Sequence, residues 1–336
     1  MTSIIIKRFM SILTAVVFLT SITGFAQEKS TEKISGLVFF DYTHSTVDDP
    51  TVNNQFEINR AYFTYENAMS KSIKYKFQLD AGREDKTGKM DAYLKNAMVD
   101  WNTGYGNIML GLQGMNVFSV QEKTWGHRFI EKSVMDRRGF SSSSDLAIGY
   151  KNKLGKAVNF SVLVSNGTGY KKAENDVFKK VSAQVYYGQG KLSSKDGFNV
   201  GGVFSYEPYD YDNTKINKVE TEAKTVFGGF AGYANKGLRV GAEFDQYAEG
   251  GKDLTKAAIS AYANYSVNEK FEVFARYDTY DPNTDEDDDG EGYLIGGLIW
   301  KPVEGLKVAP NVRVENYQGD IDSETTLKLN FEFLIK

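Results

Sequence analysis

Six basic side chains lie close together in one long polar segment, Met115–Ser144, where they alternate with the acidic residues Glu122, Glu131 and Asp136. A cluster of fixed cations in a narrow aqueous passage selects for anions, because the low-dielectric wall focuses the field. Guanidinium groups also bind oxyanions through paired hydrogen bonds. The segment is therefore a candidate anion-selecting constriction. The alternative is a solvated external loop whose charges pair with each other. The candidate residues are Lys123, His127, Arg128, Lys132, Arg137 and Arg138.

A second constellation has the spacing of a metal site. Asp285, Asp287 and Asp289, followed by Gly290, match the first half of a calcium-binding loop, although Gly296 stands where that loop would place its glutamate. Calcium prefers oxygen ligands and could bind such a cluster together with water. A solvated acidic loop tip explains the same residues. No other cofactor is predicted.

The sequence gives little support for catalysis. It has no cysteine, so no thiolate site exists, and its two histidines, His44 and His127, both fall in predicted loops. No pair of histidines has metal-ligand spacing. We therefore do not expect an enzyme.

Regular alternation of apolar and polar residues indicates the elements that must position these groups. Segments such as 73–80, 238–245, 308–315 and 327–333 alternate with a period of two, which is typical of a strand with one apolar and one wet face. We count about sixteen such segments. They are residues 34–43, 54–66, 71–82, 92–101, 106–114, 145–151, 157–165, 177–187, 198–206, 224–234, 237–247, 257–266, 271–280, 291–300, 306–317 and 325–336.

The connectors between these segments alternate between long and short. The long ones are His44–Asn53, Met115–Ser144, Asn166–Asp176, Glu207–Ala223 and Asp281–Gly290, and Gly188–Gly197 is an exception because it is long where a short turn is expected. Outer-membrane barrels have short periplasmic turns and long external loops. The sequence thus predicts an all-β fold, a transmembrane antiparallel β-barrel of about sixteen strands with both ends periplasmic.

The first 26 residues have a different character. Lys7 and Arg8 precede an uncharged run from Phe9 to Ala26 that closes on small residues, as in a secretory signal peptide. We therefore divide the chain into a signal peptide, residues 1–26, and a barrel, residues 27–336. No later segment offers the roughly 20 apolar residues that a spanning helix needs.

The predicted inner face of the barrel carries charges of both signs. A net charge of −4 argues against a nucleic-acid partner, and the mixed signs suggest ion pairs that stiffen a wet wall. The basic residues assigned to the lumen are Arg60, Lys74, Lys76, Lys95, Arg239, Arg276 and Arg313. The acidic ones are Asp80, Asp100, Glu243, Asp245, Glu272, Asp278 and Glu315.

Several short motifs resemble the phosphate-selective porin O and P family of outer-membrane channels. They are Phe56-x-Ile58-x-Arg60-Ala61-Tyr62-Phe63, Tyr75-x-Phe77-Gln78-Leu79-Asp80, Leu94-Lys95-Asn96-Ala97-x-Val99-Asp100, Leu110-Gly111-Leu112-Gln113, Phe118-Ser119 and Ser165-Asn166-Gly167. The resemblance covers residues 54–167, and it departs from the family at Asn96 and Val117, where aspartate and proline are expected. It implies a sixteen-strand barrel, commonly trimeric, with a constriction loop and a basic lumen.

Together these features predict a passive channel for small hydrophilic solutes, with anions or phosphate preferred through the third long loop. The expected partners are outer-membrane lipid of a Gram-negative bacterium, the barrel-insertion machinery, which would read the aromatic C-terminal strand, and the solutes themselves. A homotrimer is a further expectation. The alternatives are a plugged barrel that acts as an adhesin or structural protein through its external loops, and an exported soluble β-rich binding protein.

Overall fold

A single closed antiparallel sheet of sixteen strands forms the protein, and β1 pairs with β16 to complete the barrel. This computed structural model describes residues 32–45, 54–83, 88–214, 218–319 and 322–336. The predicted signal peptide lies outside the described residues. The fold class predicted from the alternation of residues is confirmed.

The strands are β1 (Lys33–Ser45), β2 (Gln55–Ala68), β3 (Ile73–Arg83), β4 (Met90–Asn102), β5 (Asn107–Gly114), β6 (Ser144–Leu154), β7 (Val158–Ser165), β8 (Lys180–Gly188), β9 (Gly197–Asn213), β10 (Lys218–Asn235), β11 (Leu238–Glu249), β12 (Leu254–Ser266), β13 (Phe271–Asp281), β14 (Glu291–Trp300), β15 (Leu306–Tyr317) and β16 (Glu324–Ile335). Two short helices, α1 (Ser119–Trp125) and α2 (Val134–Arg137), lie between β5 and β6, and a 3₁₀ turn spans Gly250–Lys252. In the part of the chain described, no helix is long and apolar enough to cross a membrane.

Each predicted strand corresponds to an observed one, but the β9–β10 connector was predicted too long. Residues 207–223 were expected in a loop, whereas residues 207–213 pair with residues 218–224 as a hairpin. This hairpin extends beyond β8, whose pairing with β9 ends at Tyr206. Tyr209 and Tyr211 alternate with Asp210 and Asp212 here. The period of a strand therefore continues, but the hairpin lacks the apolar face that lipid-facing strands have, and this is why the sequence suggested a loop.

The two faces of the wall differ as the alternation requires. Outward side chains such as Phe244, Ile259, Val273 and Leu294 are exposed, whereas their neighbours Asp245, Ser260, Glu272 and Ile295 are buried inside. Exposed aromatics lie near strand ends, among them Trp101, Tyr265 and Trp300. An apolar outer band flanked by aromatic rings is the surface that a bilayer solvates.

Two β-bulges interrupt the register on one side of the barrel. Asn59 has no partner on β1, because Phe39 pairs with Arg60 and Phe40 with Ile58. Lys95 is the extra residue of β4, since Gln78 pairs with Asn96 and Leu79 with Leu94. A bulge turns one more side chain towards a chosen face, and both Lys95 and Asn96 are buried in the interior.

Candidate functional site: a loop folded into the barrel

The longest connector, residues 115–143, lies inside the barrel, and we call it the inner loop. Trp125, Val134 and Met135 are almost completely buried. Residues around α2 pack on inward side chains that include Val203, Val226 and Ala258, and Trp125 packs with Tyr262, Phe274 and Ile295. The wet interior predicted from alternation is therefore partly an apolar core, which fixes the loop against the β9–β15 side of the wall.

Three arginines predicted to face the lumen hold the inner loop by its backbone. Arg239 Nη2 donates to the carbonyl of Trp125 at 3.1 Å, Arg313 Nη2 to that of Ile130 at 2.6 Å, and Arg276 Nη1 to that of Lys132 at 2.6 Å. All three side chains are buried. The structure places them on the inner face, where all three bind the backbone of the inner loop and Arg313 also lines the cavity described below. Carbonyls that would otherwise lie unpaired inside the barrel are thereby satisfied.

His127 is a second contact between the inner loop and the wall. Its Nε2 lies 2.8 Å from Glu272 Oε1 and 2.7 Å from Arg239 Nη2. Burial lowers the pKa of His127 to about 4, with Arg239 contributing in the same direction and Glu272 opposing. The imidazole is therefore neutral at pH 7, so this member of the predicted cationic cluster carries no charge there.

The remaining cations of the inner loop divide into two groups. Arg137 pairs with Glu315 and lies 3.6 Å from the ring centroid of Tyr293, and Arg138 pairs with Glu291 at 2.6 Å. These two reach the wall and serve as anchors. Arg128 pairs with Glu122 and with Asp136 inside the loop, and it lines an open cavity together with Lys132.

That cavity, which we call the eyelet, lies between the inner loop and the β1–β4 side of the wall and has a volume of about 330 Å³. Among the described residues it is lined by seven basic and three acidic side chains. The basic ones are Arg60, Arg83, Arg128, Lys132, Lys171, Arg313 and Lys328, and the acidic ones are Asp41, Asp80 and Glu131. Burial opposes ionisation of Glu131, but Arg313, Arg137 and Arg276 lower its pKa to about 2.

Asp80 is neutralised by its neighbours. Arg60 Nη1 donates to Asp80 Oδ2 at 2.6 Å and Lys95 Nζ at 3.2 Å, and the Tyr170 hydroxyl donates to the same oxygen at 2.8 Å. Tyr170 belongs to the connector between β7 and β8, so a second loop also reaches the eyelet. Asp41 similarly accepts from Asn59 and Lys328. The acids of the eyelet are thus bound, and its net charge is positive.

The connector that broke the long–short rule also folds inwards. Residues 189–196, the inner connector, bury Leu192, and Ser193 N donates to the carbonyl of Lys123 at 3.0 Å. Gly126, which ends α1 with φ 76°, lies where a Cβ would be 2.5 Å from Cβ of Ser193. This close approach explains why glycine stands there.

A second cavity opens beside the inner connector, at the end of the barrel that carries the short turns. Its volume is about 590 Å³, and the described residues that line it include five lysines and no acidic side chain: Lys123, Lys153, Lys156, Lys191 and Lys195. Four of these lysines were not selected from the sequence, because they lie in turns whose convergence depends on the inner connector. Lys123, predicted as part of the anion-selecting constriction, lines this second cavity and not the eyelet.

Other predicted residues have less to do with either cavity. Lys74 is exposed near the short-turn end of β3, and Lys76 lies 3.9 Å from Glu66. His44 was expected in a loop, but β1 continues through it, and its Nδ1 lies 2.6 Å from Asn54 Oδ1. Asp285 and Asp287 are exposed. No three acidic, histidine or cysteine side chains converge as a metal site within the described ranges, and calcium binding stays a prediction.

Comparison with solved structures places this fold among outer-membrane barrels. The anion-selective porin from Comamonas acidovorans is 12% identical with a TM-score of 0.67, covering 91% of this chain and 100% of its own. OprB of Pseudomonas putida is 11% identical with a TM-score of 0.67, covering 91% and 94%. A trimer form of OmpT, an outer membrane protein of Vibrio cholerae, is 13% identical with a TM-score of 0.60, covering 92% and 100%. At these identities the likeness shows the fold.

No protein-family description matches the chain, and no curated protein matches its sequence. The resemblance to the phosphate-selective O and P family therefore rests on the short motifs alone.

Proposed function

We propose that the protein is an outer-membrane porin, a non-enzymatic passive channel for small hydrophilic solutes that prefers anions. The observation that carries this proposal is the eyelet, a cavity inside a closed barrel with seven basic against three acidic lining residues. The likeness to an anion-selective porin supports it. The apolar outer face is suited to outer-membrane lipid, and the outward Phe331 and Phe333 of β16 are suited to recognition by the insertion machinery.

The lysine-lined cavity at the other end adds to the same preference. If the short turns are periplasmic, an anion leaving the eyelet meets a second basic region before it enters the periplasm. Fixed charge of one sign along an aqueous path raises the local concentration of the opposite ion. Phosphate is the proposed preferred anion because guanidinium groups suit its geometry, and the proposed assembly is a trimer, as in the trimer form of OmpT.

Ion selectivity of the purified protein in planar bilayers tests this proposal. Replacing Arg128, Lys132 and Lys171 by glutamine should shift the reversal potential in a salt gradient towards cations, lowering the anion-to-cation permeability ratio about threefold or more. Lys270→Gln, on the exposed turn between β12 and β13, is the matched control and should have little effect. An unchanged ratio in the triple variant would show that the eyelet does not select ions.

The second candidate is a plugged barrel that binds a partner through its external surface. The buried inner loop and the hairpin beyond β8 favour it. It predicts negligible conductance by the intact protein, with surface binding that is lost when residues 207–223 are trimmed. A steady conductance that phosphate reduces at constant chloride favours the channel instead.

A further inference from the structure

Two carboxyl groups lie buried beneath α2, and the described residues do not supply the partners that a charged acid needs. Glu243 and Asp245, both on β11, are 4% and 0% exposed. In the part of the chain described, neither oxygen of Asp245 has a hydrogen-bond partner, and Oε2 of Glu243 has none. Glu243 Oε1 accepts one bond, from the backbone N–H of Val134 at the start of α2, at 3.3 Å. The acids therefore lie at the contact between the wall and the inner loop.

The neighbouring strands offer these acids no counter-charge. Asp245 is level with Gly228 on β10 and Ala258 on β12, and Glu243 is level with Phe230 and Ser260. The Ser260 hydroxyl is also buried, with no hydrogen-bond partner among the residues that the structure describes. Met135 of α2 covers the site. A Cβ added at Gly228, the residue level with Asp245, would lie 2.4 Å from Asp245 Oδ1 and 3.3 Å from Met135 Cε, so both side chains approach this glycine closely.

The cations and titratable groups that face this site are already committed. Arg276 on β13 binds Asp278 through two bonds of 2.7 Å and also donates to the carbonyl of Lys132. The other arginines pair with other acids, Arg239 with Glu272, Arg137 with Glu315 and Arg138 with Glu291. Two tyrosines nearby carry no charge. The Tyr247 hydroxyl donates to Glu249, and Tyr262 packs in the Trp125 cluster. Arg276 balances Asp278, so ionisation of both β11 acids would leave two uncompensated negative charges.

An unpaired carboxylate inside a protein costs far more free energy than the neutral acid, so the group keeps its proton. We propose that this acid pair makes α2 a proton-controlled latch. While the acids are protonated, α2 lies flat on the wall. When they ionise they require water, and α2 must lift away from β10–β12 into the lumen to admit it.

The direction of the pH effect follows from proton release. Lifting α2 releases a proton, so alkaline solution favours the lifted state, by up to about tenfold per pH unit for each proton released. In the docked inner loop His127 is neutral above pH 6.5, so it does not titrate there in the range of the experiment. The lifted α2 lies nearer the eyelet and should lower conductance.

Cysteine labelling measures the latch without requiring conduction, since the chain contains no native cysteine. In Met135→Cys the new thiol lies beneath α2, and in Met69→Cys, on an exposed turn, it is always accessible. The ratio of the two labelling rates cancels the intrinsic pH dependence of thiol reactivity. We expect this ratio to rise at least tenfold between pH 6.5 and pH 9, and a constant ratio would overturn the latch.

The acids themselves are tested in the Met135→Cys background. Glu243→Gln combined with Asp245→Asn keeps side-chain size and removes both titrations, so the labelling ratio should no longer depend on pH. Glu66→Gln makes the same change at an exposed carboxylate and should leave the dependence intact. A pH dependence that survives in the double variant would exclude these acids as its origin.

Infrared spectroscopy provides a second measurement that does not depend on a cysteine variant. Wild-type protein at pH 7 should show the carbonyl band of a protonated carboxyl group, and Asp245→Asn or Glu243→Gln should remove intensity from it. A spectrum in which neither substitution changes that band would show that both acids are ionised, and the latch would be excluded even in a barrel that conducts.

Discussion

Asp80 shows how one acid can set the charge of the eyelet. It binds Arg60, Lys95 and Tyr170 through a single oxygen, Oδ2. Two cations therefore share one carboxylate, and part of their charge remains available to a passing anion. Lys95 reaches Asp80 only because a bulge places both it and Asn96 inside.

Asp80→Asn should increase anion preference. Asparagine keeps the acceptor for the Tyr170 hydroxyl but removes the charge that neutralises Arg60 and Lys95, so the anion-to-cation permeability ratio should rise about twofold or more. Reversal potentials in a salt gradient measure the change. Asp210→Asn, exposed on the β9–β10 hairpin, is the matched control. A ratio that falls in Asp80→Asn would contradict the charge assignment.

His127 should make docking of the inner loop sensitive to acid. Its pKa in the docked loop is about 4 against an ordinary value of 6.5, so the free loop binds a proton first. The difference in pKa stabilises the docked inner loop by about 3 kcal/mol above pH 6.5. This stabilisation is lost as the pH falls to about 4. Emission of Trp125, whose ring centroid is 5.2 Å from that of His127, reports this in a Trp101→Phe, Trp300→Phe background. His127→Gln should remove the transition, and a transition that persists would assign it to another group.

At the residue scale, sequence alternation predicts direction but not partners. Arg239, Arg276 and Arg313 follow the period of two and do point inwards. Their hydrogen bonds to carbonyls of the inner loop join residues that are more than 100 positions apart in the sequence. A local sequence pattern therefore does not predict these bonds. Alternation assigned Lys95 but not Asn96 to the inner face, because a bulge that turns two consecutive residues inwards breaks the period itself.

The inner connector shows the same limit at the scale of elements. The length of the inner connector marked it as an exception, and Leu192 is an apolar residue among polar ones. Neither feature predicts that the inner connector packs under α1. In the structure Asn199 on β9 donates to the carbonyl of Gln189 and to Thr124 on α1. The inner connector therefore supports the inner loop from the short-turn end.

Leu192→Ala should release the inner connector. Leu192 is 3% exposed, and replacing a buried leucine by alanine costs about 2–5 kcal/mol. Here the loss should weaken docking of the inner connector and leave the stability of the barrel unchanged. Trypsin should then cleave at Lys191 and Lys195 faster in the folded protein. Val303→Ala, at an exposed turn position, should leave the rate unchanged. Equal cleavage in wild type and Leu192→Ala would show that Leu192 does not hold the segment.

At the scale of the whole molecule, the pairing of β1 with β16 forms the seam that closes the barrel. β1 and β16 pair from Gly36 with Ile335 to Ser45 with Thr326. On the outer face Phe40 stacks on Phe331 with ring centroids 4.2 Å apart. Closure leaves no exposed strand edge inside a bilayer. A chain whose strands alternate between an apolar and a polar face, and which spans a membrane, must therefore close into a barrel. Closure requires both β1 and β16, so the barrel should unfold as a unit.

A disulfide across this seam should stabilise the closed barrel. Ser45→Cys with Thr326→Cys joins register partners whose side chains point to the same face, and the cross-link encloses most of the chain. In the chain-entropy account such a bridge stabilises by about 5 kcal/mol. The folded band in detergent electrophoresis should then survive a higher temperature until reductant is added. Ser45→Cys with Thr325→Cys points the two thiols to opposite faces and should not cross-link. If the mismatched pair protects and the matched pair does not, the register of the seam is shifted by one residue and every inward assignment on β16 is reversed.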